Sequence, residues 1–406
     1  MRCTDSFRML LCLASLLPAC TPKNPDPSAL KPGAEKQAVE ERDPFPPTRT
    51  GRQMPELTAS EFVFQLHRLH SGEPANFVYS PLSLKLAFEL LHPGSTGEIR
   101  KTLESNFGLG GKSSLFQSES ASAPQVKIAN GIWMKAPASA LPAYRTAVKE
   151  LGSEIRPLGL AAVNDFVKAA TEGKITKVLD SLGSGTELVA VNALYFKGDW
   201  VSPFKKESTA PGRFQSSPYA TMVAGMMKQT GEFEYGEDET SQWIDLPYAG
   251  GPMAMTLLLP KKRFELAALE KDLSSSSLKA RLAKSTKSRV EIVLPKFKFS
   301  QTGSMKELLV AAGYQNLFSS NEWKKISQSP PKLSDVIQAI AIEVNEKGTE
   351  AAAATAAVMT ESALMNPLAK TPKKFICDQP FAFLLRNTKS GEIHFMGKVY
   401  APDPVK

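Results

Sequence analysis

From about residue 60 onward, the spacing of apolar and polar positions divides the chain into short helices and strands. Ser60 stands as a cap ahead of Glu61-Phe62-Val63-Phe64-Gln65-Leu66, which predicts an amphipathic helix. Phe77-Val78-Tyr79-Ser80-Pro81 predicts a short strand closed by proline, and Leu82 to Leu91 a helix with apolar residues at helical spacing. Val126 to Met134 reads as a strand and Val163 to Leu179 as a helix with a weak point at Gly173. Leu188 to Phe196 is a near-continuous apolar run, the pattern of a central strand buried on both faces. Trp243 to Leu246 and Met253 to Leu259 predict two strands about the turn Ala249-Gly250-Gly251-Pro252. Val290 to Leu294 predicts a strand and Ser304 to Ala312 a helix. Phe381 to Leu385 and Ile393 to Val399 predict strands joined by Asn387-Thr388-Lys389-Ser390-Gly391. There are no internal repeats. Helices dominate the first part and strands the second, which predicts an α+β fold.

Before residue 60 the pattern is of another kind. Met1 to Arg8 carries two arginines, Met9 to Leu17 is apolar, and Pro18-Ala19-Cys20 follows. That is the layout of an export signal, far short of the ~20 apolar residues of a membrane span. Leu17-Pro18-Ala19-Cys20 resembles a bacterial lipobox, in which Cys20 becomes the lipidated first residue. An ordinary signal peptide cut near the same place is the alternative. Residues 20–55 hold eight prolines, from Pro22 to Pro55, and cannot bury enough apolar surface to fold. They read as a semi-extended tether between a lipid and a domain spanning about 56–406, after a signal at 1–19.

Composition narrows the function classes. Of 406 residues, 42% are hydrophobic and 22% charged, which is globular. The net charge of +8 is scattered through short clusters such as Lys261-Lys262-Arg263 and Lys373-Lys374, so a nucleic-acid partner is not expected. Of four cysteines, Cys3 and Cys12 leave with the signal and Cys20 carries the lipid, so Cys377 is the one thiol left and no disulfide framework is expected. There are four histidines; His67 and His70 share a helix face, but with no third ligand nearby they read as helix-surface residues. No Gly-x-Ser-x-Gly, His-Glu-x-x-His, Cys-x-x-Cys or phosphate-binding glycine loop occurs. The expectation is a protein that is not an enzyme, with no catalytic residues, cofactor or metal.

Residues 346–375 break local rules. Glu346-Lys347-Gly348-Thr349-Glu350 leads into Ala351-Ala352-Ala353-Ala354-Thr355-Ala356-Ala357, then into Val358 to Lys374 with no clear period. An alanine run by itself favours a helix. Here Thr355 and Val358 are β-branched, no amphipathic stripe accompanies the run, and a long uncapped stretch follows. Long loops of that kind in compact domains are usually functional.

With these residues in view, the chain resembles a serpin. Glu343-Val344-Asn345-Glu346-Lys347-Gly348-Thr349-Glu350-Ala351-Ala352-Ala353-Ala354-Thr355 is similar to the family's inhibitory hinge. Asn76-Phe77-Val78-Tyr79-Ser80-Pro81-Leu82-Ser83 resembles its shutter segment, and Val191-Asn192-Ala193-Leu194-Tyr195-Phe196-Lys197-Gly198-Asp199-Trp200 its breach strand. Leu246-Pro247-Tyr248, Leu259-Pro260, Leu294-Pro295-Lys296-Phe297, Asp378-Gln379-Pro380-Phe381 and Phe395-Met396-Gly397-Lys398-Val399 follow in family order, so the resemblance covers about residues 57–402.

The resemblance implies three β-sheets, eight or nine helices and an exposed reactive-centre loop. It implies that a target protease cleaves the loop and becomes acylated, and that the hinge half of the loop then enters the large sheet as a new strand. The inward-facing set would be Thr349, Ala351, Ala353, Thr355 and Ala357, all small, while Gly348 supplies freedom at the bend. Family spacing counted from Glu346 puts the scissile bond at Ser362–Ala363; counting back from Pro380 keeps Leu364–Met365 and Met365–Asn366 open. These residues suggest elastase-, subtilisin- or chymotrypsin-like targets held in a covalent acyl complex by a monomer. Shutter and breach positions are Ser80, Ser83, Asn192, Trp200 and Gln338; Gln338 stands where many members place a histidine, and Phe166 where a tryptophan is common. A non-inhibitory serpin acting as a binding or surface-interaction lipoprotein is the alternative. The expected location is exported, lipid-anchored to a bacterial envelope, or extracellular.

Overall fold

Helix α1 (Glu61–Leu69) opens the computed structural model, which describes residues 61–110, 125–349 and 371–404. Its apolar stripe buries Phe62, Val63, Phe64 and Leu66. Strand β1 (Phe77–Tyr79) gives way at Ser80 to α2 (Pro81–Leu91). The Ser80 hydroxyl accepts from the Ser83 backbone N–H at 3.1 Å, and Pro81 fills the first helical position, where no N–H is needed. Then come α3 (Gly97–Phe107), α4 (Pro142–Glu150), α5 (Leu160–Ala170), α6 (Leu266–Asp272), α7 (Ser275–Leu282), α8 (Lys306–Ala311) and α9 (Asn316–Ser319), making nine α-helices among the described residues.

The remaining strands, in chain order, begin with β2 (Gln125–Met134), β3 (Ile155–Pro157), β4 (Leu188–Asp199), β5 (Ala210–Ser217) and β6 (Ala220–Glu237). Next are β7 (Ser241–Pro247), β8 (Met253–Pro260), β9 (Thr286–Pro295), β10 (Phe297–Ser304) and β11 (Leu333–Val344). Strands β12 (Gly348–Thr349), β13 (Lys373–Ile376), β14 (Phe381–Asn387) and β15 (Ile393–Val399) complete the set. The central sheet has six strands in the order β10-β11-β12-β4-β2-β3, with β11 and β4 also paired directly and in parallel. The other sheet has nine strands, β1-β15-β14-β8-β7-β6-β9-β13 with β5 on β6. The α+β class is as expected. Two of the three expected sheets form one, because the 18-residue β6 runs unbroken past β5, β9 and β7.

Both faces of the central sheet are covered. Val189, Val191, Ala193 and Tyr195 of β4 pack with Ile337, Ala339 and Ala341 of β11 beneath Val163 and Val167 of α5. On the opposite face Leu194, Phe196, Ile340, Ile342 and Val344 meet the nine-stranded sheet through Phe383, Phe395 and Met255. This double burial explains the continuous apolar run in β4.

Some element boundaries differ from the expectations. The helix expected over Val163–Leu179 runs from Leu160 to Ala170, because Glu172 (φ 51°) and Gly173 (φ 78°) turn left-handed and end it. Ser304 closes β10 instead of opening a helix, and α8 starts at Lys306. His67 is not a surface residue. It is fully buried, with Nε2 2.9 Å from Glu270 Oε1, and Lys398 Nζ lies 3.6 Å from the same oxygen; all three side chains are excluded from solvent. His70 is partly buried beside Glu73. Cys377 is free and buried, and burial pushes its thiol well up.

Candidate functional site

The hinge sits at the top of the central sheet. From Leu188/Leu333 to Tyr195/Ala341, β4 and β11 pair directly; beyond that they part, and β12 lies in the fork, antiparallel to both. Thr349 pairs with Val344 on one side and Gly198 on the other. Asn345, Glu346 and Lys347 make the turn that doubles the chain back, closed by Asn345 N–H to Gly348 O at 2.9 Å. Gly348 adopts φ +156°, and a Cβ there would lie 2.0 Å from the Gly198 carbonyl oxygen, so this close approach requires glycine.

The breach holds the turn through its backbone. The Trp200 N–H donates to Lys347 O at 2.8 Å, its indole N–H to Asn345 O at 3.0 Å, and the Phe204 N–H to Glu346 O at 2.8 Å. Lys296 Nζ lies 3.1 Å from a Glu346 carboxylate oxygen. Burial alone would push the Glu346 carboxyl up; its own backbone N–H and the Lys296 ammonium outweigh that and hold it below the ordinary range. Thr349 is fully buried, and its hydroxyl and that of Tyr248 share a hydrogen bond of 2.6 Å. Tyr248 stacks on Trp200 (ring centroids 4.3 Å, 23°) and meets Phe196 edge-on at 4.8 Å. Burial holds its phenol above the ordinary range, so it stays neutral.

The shutter lies halfway down. Gln338 of β11 stands opposite Asn192 of β4. The Gln338 carbonyl accepts from the Ser80 N–H at 2.9 Å, and its amide donates to Ser80 O at 2.9 Å and to the Ser83 hydroxyl at 3.0 Å. The Ser83 hydroxyl donates to Asn192 Oδ1, and the Asn192 amide donates to Asn130 Oδ1. Gln338 therefore reaches Asn192 through Ser83, a relay to which Asn130, absent from the sequence expectations, also belongs. No member of this chain of amides and hydroxyls titrates near neutrality. Histidine at 338 would have to remain neutral to keep accepting from the Ser80 N–H, and burial would depress its pKa below about 6.5. Its stabilising role is present above that pH and is lost as pH falls through it. For Gln338→His we therefore expect the deficit in thermal stability against wild type to be larger at pH 5.5 than at pH 8, by up to about 1.4 kcal/mol per unit below 6.5. An equal deficit at both pH values counts against it. Phe166, where a tryptophan is common, meets Trp133 edge-on at 4.8 Å, with the Arg156 guanidinium 5.1 Å from its ring.

Glu346, Gly348, Thr349 and Trp200 thus come together at the fork, and Ser80, Ser83, Asn192 and Gln338 at the shutter. Glu350 to Thr355, the bond candidates Ser362 to Asn366, and Cys20 with residues 1–55 lie outside the described residues. Tyr248 and Lys296 stand in the sequence only as parts of family segments; no local signal marks them, because their partners, Thr349 and Glu346, stand far along the chain. Among the described residues, no cluster of three or more His, Cys, Asp or Glu forms a metal site.

The family model described as serpin (serine protease inhibitor) matches residues 58–402. An uncharacterized serpin-like protein of Thermococcus kodakarensis is 31% identical over 377 residues, covering 87% of each chain. Human leukocyte elastase inhibitor is 30% identical over 384 residues, covering 86% of this chain and all of that one (100%). In fold, human thyroxine-binding globulin superposes with a TM-score of 0.75 at 23% identity, over 85% of this chain and 97% of that one.

Proposed function

Because this chain belongs to the serpin family, whose members are in general protease inhibitors, we propose that it inhibits serine proteases as a suicide substrate. The observation that carries this reading is β12, a strand of the hinge already seated between β4 and β11 in register with both. Carried on in that register, Glu350 and Ala351 face Lys197/Glu343 and Phe196/Ile342, and Ala352 meets Tyr195–Ala341, the first direct pair that must separate. Thr349, Ala351, Ala353, Thr355 and Ala357 then share the face that packs on the nine-stranded sheet, with Thr355 between Gln338 and Asn192. Small residues enter that packed layer without overfilling it, and a hydroxyl suits the shutter's amides.

In the reaction, the protease serine Oγ attacks the carbonyl of the bait residue and the peptide bond breaks. The new N-terminus leaves with the proton, and an ester joins the protease to the hinge side of the loop. Water would hydrolyse that ester; insertion carries the tethered protease down the sheet first and releases the strain that trapped the uncleaved fold. The bait residue is Ser362, then Met365, then Leu364 in order of preference, and the targets are elastase-, subtilisin- or chymotrypsin-like. One relative, named for inhibiting leukocyte elastase, agrees with that choice. Lipid on Cys20 and the 20–55 tether place the inhibitor on a bacterial envelope.

A carrier function needs a ligand cleft. A cleft of about 960 Å³ lies between α1, α7 and the β14–β15 turn. Of its four cations, Arg386 is paired with Asp245 at 2.5 Å and Lys85 with Glu392 at 3.6 Å, so two are answered from within. Incubation with elastase, subtilisin and chymotrypsin is expected to give a complex that survives boiling in detergent, with a C-terminal fragment whose mass reports the bond. If all three only cleave the loop, the inhibitor reading is wrong.

A further inference from the structure

Insertion competes with hydrolysis of the acyl ester, so how it starts decides how many encounters end in a trapped protease. Starting a strand between two others means closing a turn, fixing the first residue and opening the flanking pair, before later pairs offset the entropy lost. In this chain the first two have been done. The Asn345–Lys347 turn is closed and its carbonyls are held by Trp200 and Phe204. The fork is open to Tyr195–Ala341, which leaves two further loop positions to enter before any β4–β11 pair separates.

The first residue is seated by strand pairing with Val344 and Gly198, and its side chain is fixed by one contact. Thr349 is the last described residue of the hinge, and its only polar side-chain group meets the Tyr248 hydroxyl at 2.6 Å. Tyr248 in turn is immobilised by its rings' contacts with Trp200 and Phe196 and by its own N–H, which donates to Met253 O at 2.8 Å. The ring packs as phenylalanine would; the hydroxyl is the part whose partner is the hinge. Resting on the inhibitor reading, we propose that Tyr248 is a positioning residue for loop insertion: its hydroxyl holds Thr349 as a preformed starting point, so that insertion proceeds by adding pairs from a seated end.

The test uses the whole chain and its variants Tyr248→Phe, Thr349→Val and the pair together. Each single variant deletes one hydroxyl while keeping ring or β-branched shape. The readout is the ratio of trapped to merely cleaved inhibitor, against a protease that the wild type traps. Each single variant is expected to lower that ratio about fivefold, the change that goes with one neutral hydrogen bond, and the double variant is expected to fall no further. Single variants that trap like wild type, or losses that multiply in the double variant, overturn the proposal, since hydroxyls in one contact cannot act independently. A second measurement serves if the variants fold poorly or if the wild type traps nothing, an outcome that sinks the inhibitor reading alone. Hydrogen exchange at the Thr349 amide is expected to be slow in wild type and fast in Tyr248→Phe. Where no folded variant is obtained, the wild-type amide decides, and fast exchange there overturns the seating, as does equal exchange in the two proteins.

Discussion

On the proposed suicide-inhibitor reading, replacing Thr349 with arginine is expected to turn trapping of the protease into simple cleavage of the loop. Thr349 is fully excluded from solvent, paired on one side with Val344 and on the other with Gly198, and its hydroxyl is answered by Tyr248. Arginine at this point would bring a charge with no carboxylate opposite it into the layer between the two sheets. Burying an uncompensated charge of this kind costs roughly 3–5 kcal/mol, and even half of that placed in the insertion barrier slows the step by a factor of about 10 or more. The proposed bait residues, Ser362 to Met365, stand well beyond Thr349 in the sequence, so cleavage itself is expected to be left alone. Acylation proceeds, insertion lags, and water releases the protease. On a detergent gel the wild type should give the high-mass complex, and the Thr349→Arg variant should give only the shortened inhibitor, at a stoichiometry at least tenfold higher. A variant that still traps the protease one for one would mean that the hinge does not enter through the fork.

The largest effect on stability is expected from Glu270→Ala. Glu270, Lys398 and His67 are all excluded from solvent, and Glu270 Oε1 lies 2.9 Å from His67 Nε2 and 3.6 Å from Lys398 Nζ. The Lys398 ammonium also donates to the backbone carbonyls of His70 and Glu73, where α1 ends. Removing the carboxylate leaves that ammonium buried with carbonyls alone, a loss of about 3–5 kcal/mol. In a chain of this size that corresponds to a melting temperature lower by on the order of 5–10 °C. The pH dependence identifies the cause. Burial lowers the Lys398 pKa, an effect that the Glu270 charge opposes in the wild type. Without Glu270 the folded-state value drops further below the unfolded one, so the folded form binds fewer protons and stability rises with pH through that interval. The deficit of Glu270→Ala against wild type should therefore be smaller at pH 9.5 than at pH 7. A deficit that does not change with pH would point to a packing defect. Exchanging the three residues together for apolar ones of similar size should restore most of the loss.

How far the chain could be read from its letters follows from what each segment touches. The β4 strand announced itself because both of its faces are apolar. Ser80-Pro81 announced the start of α2 because cap and proline are local chemistry. Strand β11 is legible only at Gln338 and at the start of the hinge, because a strand buried on both faces has no alternation to find. His67 looked like a surface residue because its helix face is shared with His70; the groups that bury it, Glu270 and Lys398, belong to α6 and β15. The breach shows the same limit. Gly348 is legible as a residue that permits a bend, whereas the Gly198 carbonyl that forbids any side chain there is visible only in the fold.

The contacts at the end of α1 also govern when the molecule can be finished. Lys398 Nζ meets carbonyls 328 and 325 residues earlier in the chain, and β1 pairs with β15 through Phe77 and Lys398. A chain made from its N-terminus outward exposes α1 and β1 long before β15 exists. Until β15 arrives, the turn after the first helix lacks the ammonium that meets the His70 and Glu73 carbonyls, and the buried Glu270 lacks its cationic neighbour. Completion is thus tied to the synthesis of β15, and pairings this distant in sequence form slowly. A truncation before Lys398 would therefore leave both ends of the domain unclosed.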